Sequence, residues 1–149
     1  MRILIINGVN LNMLGSREPD VYGKTDYATL SAELVKFGEE VGASVDVVQS
    51  NIEGELVNFI HSAQGNYDGI VINPGAFTHY SIALLDALKA VTVPAVEIHI
   101  SNIHKREEFR HNSVTAAACV GQISGFGAAS YKMGIRYFVE RMQNFDEGY

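Results

Sequence analysis

The stretch GIVINPGAFTHYSIALLDALKAV (Gly69–Val91) holds, in order, a run of apolar β-branched residues, a turn and an apolar segment with helical spacing. Gly69–Asn73 is predicted to be a strand, because valine and isoleucine fit a pleated, buried surface. Pro74 and Gly75 are turn residues that end it. Ser81–Val91 repeats its apolar residues three or four positions apart, which is typical of a helix packed on one face. A strand that is apolar on both faces and leads to a helix indicates a parallel sheet covered on both sides.

The same alternation of strands and helices extends from this segment in both directions. Four more strands are predicted at Ile3–Asn7, Ser44–Gln49, Ala95–His99 and Ala118–Ile123, and three more helices at Tyr27–Val41, Ile52–Ala63 and Ser130–Phe145. The alternation predicts an α/β fold, a flavodoxin-like three-layer sandwich around a five-stranded parallel sheet, with functional residues at the carboxyl ends of the strands. No linker, repeat or low-complexity tract divides the chain, so we expect residues 1–149 to form a single domain.

The composition is that of an ordinary globular protein. Of the 149 residues, 47% are hydrophobic and 19% are charged, a balance too apolar for a disordered chain. No apolar run approaches the roughly 20 residues of a membrane span. The net charge is −6 and the eleven Lys and Arg residues are dispersed, which argues against a nucleic-acid-binding surface. Because the start has no leader-like pattern and Cys119 is the single cysteine, we expect a cytoplasmic protein with no membrane or nucleic-acid partner.

The connection after the first strand, Gly8–Gly23, is sixteen residues long, whereas such connections usually have about 2–6 residues. It carries Asn10, Arg17 and Tyr22, which can donate hydrogen bonds or transfer protons. An ordinary surface loop and a mobile lid over an active site are both compatible with its length, and its content favours the lid. The loop has neither the lysine-containing phosphate motif nor the dinucleotide fingerprint, so nucleotide binding is not expected.

Polar residues also follow the third and fourth predicted strands. Asn73 supplies an amide at a strand end, and Thr78 is the predicted cap of the next helix. Glu97 and His99 alternate along a strand and therefore lie on one face, where the carboxylate can fix the tautomer of an acid/base histidine. On spacing alone a structural Glu97–His99 pair is equally compatible, and His79 by itself is more simply a solvated histidine at a helix start.

Three strand ends thus bring eight candidate side chains to one edge of the predicted sheet: Asn10, Arg17, Tyr22, Asn73, His79, Glu97, His99 and Arg110. No His/Cys cluster has the spacing of metal ligands, so no metal site is predicted. Cys119, inside the last predicted strand, is expected only to pack. The chemistry that remains is proton transfer by tyrosine and histidine, with arginine and amide groups to stabilise negative charge.

Six segments closely resemble type II 3-dehydroquinate dehydratases, in family order and over nearly the whole chain. They are GVNLNMLGSREPDVYG (Gly8–Gly23), NIEGEL (Asn51–Leu56), INPGAFTHYSIALLDAL (Ile72–Leu88), VEIHISNIH (Val96–His104), REEFRHNS (Arg106–Ser113) and GQISGFG (Gly121–Gly127). The departures are Val9 where the family usually has proline, Tyr80 for threonine, Leu85 for arginine and Asn112 for histidine. None removes a residue that the family uses in its chemistry, whereas Val9 and Tyr80 bear on the loop entry and on substrate affinity.

The resemblance implies a hydro-lyase of the shikimate pathway, which leads to chorismate and the aromatic amino acids. Such an enzyme eliminates water from 3-dehydroquinate by an anti route through an enolate, and gives 3-dehydroshikimate without metal or cofactor. Tyr22 would take the proton α to the ketone, with Arg17 favouring its phenolate. Asn10 would stabilise the enolate oxygen through an ordered water. His99, oriented by Glu97, would protonate the departing hydroxyl.

The resemblance also implies substrate-binding residues and an assembly. The binding residues lie at strand ends and in the turns after them: Asn73, His79, Ile100, Ser101 and Arg110. The Asn73 amide and the backbone N–H groups of Ile100 and Ser101 would hold the substrate carboxylate. His79 and Arg110 would contact ring hydroxyls. Asp86 resembles a family residue that reaches a neighbouring subunit's site, which implies a homo-oligomer of trimers assembled into a dodecamer.

Two alternatives remain open on the residues alone. A non-catalytic flavodoxin-like module that binds a small anion would need the strand-end donors, but not Tyr22, Arg17 and His99 together. An enzyme of the same family with a shifted substrate would be compatible with the bulk that Tyr80 adds near the pocket.

Overall fold

The computed structural model describes residues 1–16, 20 and 25–146. The strands are β1 (Arg2–Asn7), β2 (Ser44–Gln49), β3 (Gly69–Asn73), β4 (Ala95–His99) and β5 (Gly121–Ser124). The longer helices are α1 (Tyr27–Val41), α2 (Glu53–Ala63), α3 (Ile82–Ala90) and α4 (Ala129–Asp146). Among these described residues, no helix combines the length and the apolar character needed to cross a membrane. Two predicted site residues, Arg17 and Tyr22, lie outside the described residues.

The five strands form one parallel sheet with the order β2-β1-β3-β4-β5, which confirms the predicted flavodoxin-like α/β architecture. The register aligns the last residues of neighbouring strands: Asn7 pairs with both Gln49 and Asn73, and His99 pairs with Ser124. Parallel strands end at a common edge. The polar residues that end β1, β3 and β4 are therefore close neighbours.

Two apolar layers cover the sheet, one on each face. Side chains of β1 alternate between them, as the period of a strand requires. Ile3 and Ile5 pack in the layer that contains α1 and α4, whereas Leu4 and Ile6 pack in the layer that contains α2 and α3. All four are at most 2% exposed, so the burial of each contributes about 1.5–3 kcal/mol. This double burial is what the uninterrupted apolar strands predicted.

The start of the fifth strand was predicted wrongly. Ala118, its predicted first residue, is instead the last residue of a 3₁₀ turn, Ala116–Ala118, and the Cys119 N–H donates to the carbonyl of Ala116 at 3.0 Å. Pairing with β4 begins only at Gly121, opposite Val96. Cys119 therefore precedes the strand, because an apolar run becomes a strand only where a neighbouring strand accepts its hydrogen bonds.

The predicted cap of α3 was also wrong. Ser81 caps this helix, with its hydroxyl accepting a hydrogen bond from the Leu84 N–H at 3.0 Å. Thr78 lies instead in a buried 3₁₀ turn, Gly75–His79, and its hydroxyl donates to the Glu97 carboxylate at 3.0 Å. The turn after β3 takes up these residues before the α-helix can begin, which moves the cap three positions along the chain.

Candidate active site

A pocket opens at the carboxyl ends of β1, β3 and β4. Seven of the predicted site residues line it: Asn10, Asn73, His79, His99, Ile100, Ser101 and Arg110. The remaining lining residues come from the same loops: Val9, Leu11, Gly75, Ala76, Ile103 and Arg106. The pocket thus combines neutral amides, two imidazoles and two guanidinium groups, a set that suits a small anionic ligand.

The loops that follow β1 and β3 are in close backbone contact beside the pocket. The Gly8 N–H donates to the carbonyl of Asn73 at 2.8 Å, and a Cβ at Gly8 would lie 2.1 Å from the carbonyl oxygen of Pro74. Only glycine allows this approach. Asn10 follows in the left-handed conformation, with φ of 67°, and its N–H donates to the side-chain oxygen of Asn51 at 2.9 Å. Asparagine tolerates this conformation better than most residues do, so the loop can present Asn10 to the pocket.

Glu97 lies behind the pocket, fully buried, and its carboxylate accepts five side-chain hydrogen bonds. His99 donates from Nε2 to Oε2 at 3.0 Å. The other donors are polar side chains from separate segments: Thr78 (3.0 Å), Ser113 (3.1 Å), Thr115 and Gln122 (2.6 Å). A buried carboxylate is tolerated only when it is hydrogen-bonded in this way.

These hydrogen bonds keep Glu97 ionised. Burial alone would raise the pKa of its carboxyl group, but the hydrogen bond and charge of His99 and the donors Thr115 and Gln122 outweigh it and lower the pKa to about 2. An ionised Glu97 requires a proton on Nε2 of His99, to which it is bonded. Nδ1 is then the nitrogen that His99 can offer to a ligand in the pocket.

His79, which also lines the pocket, is held by a backbone carbonyl group. Its Nδ1 donates to the backbone carbonyl of Asn112 at 2.8 Å. Burial, and to a smaller extent the positive charges of His99 and Arg110, lower the pKa of His79. The ring is therefore neutral at pH 7, and its Nε2 is a hydrogen-bond acceptor.

Two arginines reach the pocket from the segment that follows β4. Arg110 lines it while its Nε donates to the carboxylate of Glu107, and the guanidinium lies 5.1 Å from the ring centroid of Phe109. Arg106, four residues earlier, lines it as well. Of this run, only Arg110 was a predicted site residue. Arg106 follows one 3₁₀ turn, Ile103–Lys105, and Arg110 ends the next, Glu108–Arg110, so regular spacing in the sequence could not have predicted that both line the pocket.

Asn73 is joined to two buried residues, Asn7 and Tyr131, that were not predicted to be site residues. Its Nδ2 donates to the hydroxyl of Tyr131 at 2.9 Å, and that hydroxyl donates to Oδ1 of Asn7 at 2.6 Å. The Asn73 Oδ1 accepts from the Gly75 N–H at 3.1 Å. Asn7 carries a local signal as a polar residue at a strand end, whereas Tyr131 carries none, since it belongs to a helix far along the chain.

Asp86 and Cys119 lie outside the pocket. Asp86 is exposed on α3 and does not line the pocket of its own chain. Cys119 is half-buried, and burial raises the pKa of its thiol to about 12, so it is not a nucleophile at neutral pH. Within residues 1–16, 20 and 25–146, no group of three or more His, Cys, Asp or Glu side chains is arranged to hold a metal ion.

The chain is similar to a well-defined set of sequences. The family model of class II dehydroquinases matches residues 1–139. A 3-dehydroquinate dehydratase of Clostridium perfringens is 60% identical over 136 residues, which cover 91% of this chain and 94% of the relative. One of Carboxydothermus hydrogenoformans is 52% identical over 146 residues, which cover 98% and 95% of the two chains.

The fold is similar to solved structures as well. A type II dehydroquinase from Propionibacterium acnes superposes with a TM-score of 0.91 at 43% identity, covering 93% of this chain and 96% of that one. A 3-dehydroquinate dehydratase-like protein from Bifidobacterium longum superposes with a TM-score of 0.72 at 29% identity, covering 96% and 98% of the two chains.

Proposed function

The chain belongs to the class II dehydroquinase family and is a hydro-lyase with 3-dehydroquinate dehydratase activity; we propose that the pocket at the carboxyl ends of β1, β3 and β4 is where the elimination takes place. The observation that carries this proposal is the Glu97–His99 pair, an imidazole at the pocket bonded at 3.0 Å to a buried carboxylate. A merely structural histidine would not need to line a pocket with two arginines and two amides.

His99 is assigned the protonation of the departing hydroxyl. For water to leave, the C–O bond must break as a proton is delivered to the oxygen, so the donor must be an imidazolium facing the pocket. Glu97 supports that form, because a buried carboxylate next to the ring stabilises its positive charge. The low pKa of Glu97 keeps this partner ionised throughout the neutral range.

Removal of the proton α to the ketone is assigned to Tyr22, with Arg17 beside it to favour the phenolate. Both assignments rest on the resemblance of the loop Gly8–Gly23 to the family. The electrons of the broken C–H bond move to the ketone oxygen and form an enolate, which then collapses to expel the hydroxyl. Asn10, at the entry of the same loop, is assigned to the enolate oxygen, where a preorganised donor contributes most.

Substrate binding is assigned to the other lining residues. The Asn73 amide and the backbone N–H groups of Ile100 and Ser101 would hold the carboxylate. His79 would accept a hydrogen bond from a ring hydroxyl at Nε2, a role supported by its neutral state and by the Asn112 carbonyl that occupies Nδ1. Arg110 would donate to a second hydroxyl, and Arg106 adds positive charge near the anionic substrate.

Assembly and location belong to the proposal too. We assign the protein to the cytoplasm, as a dodecamer of trimers in which Asp86 reaches a neighbouring subunit's pocket. The exposed position of Asp86 on α3, one turn from the 55% exposed Ile82, supports an interface there. Light scattering of the purified protein tests the assembly, since a monomeric protein with full activity would exclude any role for Asp86 across subunits.

The experiment that tests the function follows the conjugated enone of 3-dehydroshikimate by absorbance, with 3-dehydroquinate as substrate and chelator in the buffer. Wild-type protein should produce the signal, and Tyr22→Phe and His99→Ala should nearly abolish it. Folded protein that binds 3-dehydroquinate without turnover would favour the anion-binding module. Turnover of another hydroxy-ketone acid in preference to 3-dehydroquinate would favour a shifted substrate.

A further inference from the structure

We propose that Tyr131 is a positioning residue for substrate binding: its buried hydroxyl orients the Asn73 amide so that one N–H of that amide faces the substrate carboxylate. The inference rests on the role proposed above for Asn73 and adds the residue that sets its orientation. Tyr131 itself does not line the pocket, so it would act only through Asn73.

The hydroxyl of Tyr131 bridges the ends of the two central strands. Asn7 and Asn73 are the last residues of β1 and β3 and are paired in the sheet. Tyr131 reaches both from α4, donating to Asn7 at 2.6 Å and accepting from Asn73 at 2.9 Å. Tyr131 and Asn7 are completely buried, and Asn73 is 3% exposed. Burial also raises the pKa of Tyr131, so the hydroxyl keeps its single proton at every working pH.

The direction of this hydrogen-bond chain is set by Gly75. Its N–H needs an acceptor and finds Oδ1 of Asn73 at 3.1 Å. If the Asn73 amide were flipped, its NH₂ group would face this N–H and two donors would meet. Asn73 must therefore present Nδ2 to Tyr131, and the tyrosine proton must point at Asn7.

This direction has a cost at Asn7. Its Nδ2 is buried and has no hydrogen-bond partner among the described residues. A chain running the other way would let the same NH₂ donate to the Tyr131 oxygen, and would satisfy it. An unsatisfied buried donor is rare in native proteins. The structure therefore has the hydrogen-bond direction that fixes the Asn73 amide, and it leaves the NH₂ group of Asn7 without a partner among the described residues.

Counting hydrogens on Asn73 shows what the arrangement provides. Its carbonyl oxygen is occupied by Gly75 and one of its two amide hydrogens by Tyr131, which leaves one amide hydrogen. Asn73 lines the pocket, so that hydrogen is available to a ligand. With the group held at both of its heavy atoms, the remaining donor is preorganised, which lowers the entropic cost of binding.

The test is Tyr131→Phe, which keeps the ring and removes the hydroxyl. We expect KM for 3-dehydroquinate to rise about tenfold, the effect of roughly one hydrogen bond to a charged group, while kcat changes by less than about threefold. Affinity for the product 3-dehydroshikimate, measured by calorimetry, should fall by the same factor. Tyr67→Phe is the control, because the Tyr67 hydroxyl likewise donates to a side-chain oxygen, that of Asp46 at 2.6 Å, but away from the pocket.

A double-mutant cycle with Asn73→Ala separates the possible outcomes. If Tyr131 acts through Asn73, its substitution should add almost nothing in the Asn73→Ala background. A full additional tenfold loss there would overturn the inference, as would an unchanged KM in Tyr131→Phe when Asn73→Ala alone raises KM. An unchanged KM in Asn73→Ala would instead refute the proposed role of Asn73. Should Tyr131→Phe fail to fold, Asn7→Leu removes the acceptor that fixes the tyrosine proton and frees the hydroxyl to turn away from Asn73, so it should raise KM in the same direction. An unchanged KM in folded Asn7→Leu would then overturn the inference.

Discussion

Replacing Glu97 with glutamine should remove the charge behind His99 while preserving the shape of the network. Glutamine can turn its oxygen toward His99 and Gln122, which donate to Oε2 in the wild type. Its NH₂ group then faces the three hydroxyls that bind Oε1, and hydroxyls can accept hydrogen bonds as well as donate them. The change is therefore chiefly electrostatic.

The size of the effect follows from the ionisation of Glu97. Its pKa lies at about 2 against an ordinary 4.5, which corresponds to about 3 kcal/mol in favour of the carboxylate. If most of that interaction stabilises the imidazolium that protonates the leaving hydroxyl, Glu97→Gln should lower kcat about 100-fold. KM should change by less than about threefold, because Glu97 does not line the pocket.

The assay is the appearance of the enone at saturating 3-dehydroquinate. Glu53→Gln is the control: the Glu53 carboxylate accepts a hydrogen bond from Ser81 at 2.7 Å outside the pocket, and its loss should leave kcat unchanged. A folded Glu97→Gln enzyme whose kcat is within about threefold of wild type would refute the assignment of Glu97 as the electrostatic partner of His99.

The same variant has a pH signature in its stability. Because the pKa of Glu97 is depressed in the folded protein, its contribution to stability is present above about pH 4.5 and is lost as the pH falls toward about 2. Between pH 6 and pH 3 the wild type should lose about 2 kcal/mol more free energy of unfolding than Glu97→Gln does. Urea titrations at the two pH values measure this difference, and equal losses would contradict the low pKa.

Three further tests address other residues of the site and of the loop that enters it. Thr115→Val removes one hydroxyl from Glu97 and should lower kcat about fivefold; an unchanged kcat would mean that the other donors are sufficient. Gly8→Ala should lower the free energy of unfolding by about 2 kcal/mol or more, because its Cβ would lie 2.1 Å from a backbone carbonyl oxygen. Gly54→Ala, in open space on a helix, should instead add about 0.5–1 kcal/mol. In ¹⁵N NMR titrations His79 should carry its proton on Nδ1 at pH 7 and charge only below 6.5, since burial lowers its pKa; charging above 6.5 would disprove this.

The central strands could be predicted with their boundaries because burial on both faces leaves a local record. β3 and β4 begin and end at the predicted residues, Gly69–Asn73 and Ala95–His99, since every position within them must be apolar or paired. The start of β5 could not be predicted in this way. Ala118, where the strand was predicted to start, is apolar too, but its conformation depends on whether β4 offers it hydrogen bonds, which is a property of the assembled sheet.

In the functional site, too, contacts between residues close in sequence could be predicted and contacts between distant residues could not. Spacing along one strand was enough to pair Glu97 with His99, and the structure brings them to 3.0 Å. The donors that keep Glu97 ionised come from elsewhere: Thr115 is 18 residues away and Gln122 is 25. Tyr131 and Asn7 are separated by 124 residues. Contacts of this kind leave no periodicity in the sequence, because topology alone creates them.

The segment Asn112–Val114 supports both pocket histidines. The departure from the family pattern at Asn112 removes no contact with them, because Asn112 binds through its backbone. Asn112, where the family often has histidine, holds His79 through its carbonyl oxygen, a group that every residue type supplies. Ser113, next in the chain, donates through its hydroxyl to Glu97, the partner of His99. The Val114 N–H donates to the carbonyl of Thr78 at 2.8 Å and so ties the segment to the turn that carries His79. The residue type therefore matters at position 113, where the side chain makes the contact, and matters little at position 112, where the backbone does. Substitutions at position 112 should leave the tautomer of His79 unchanged.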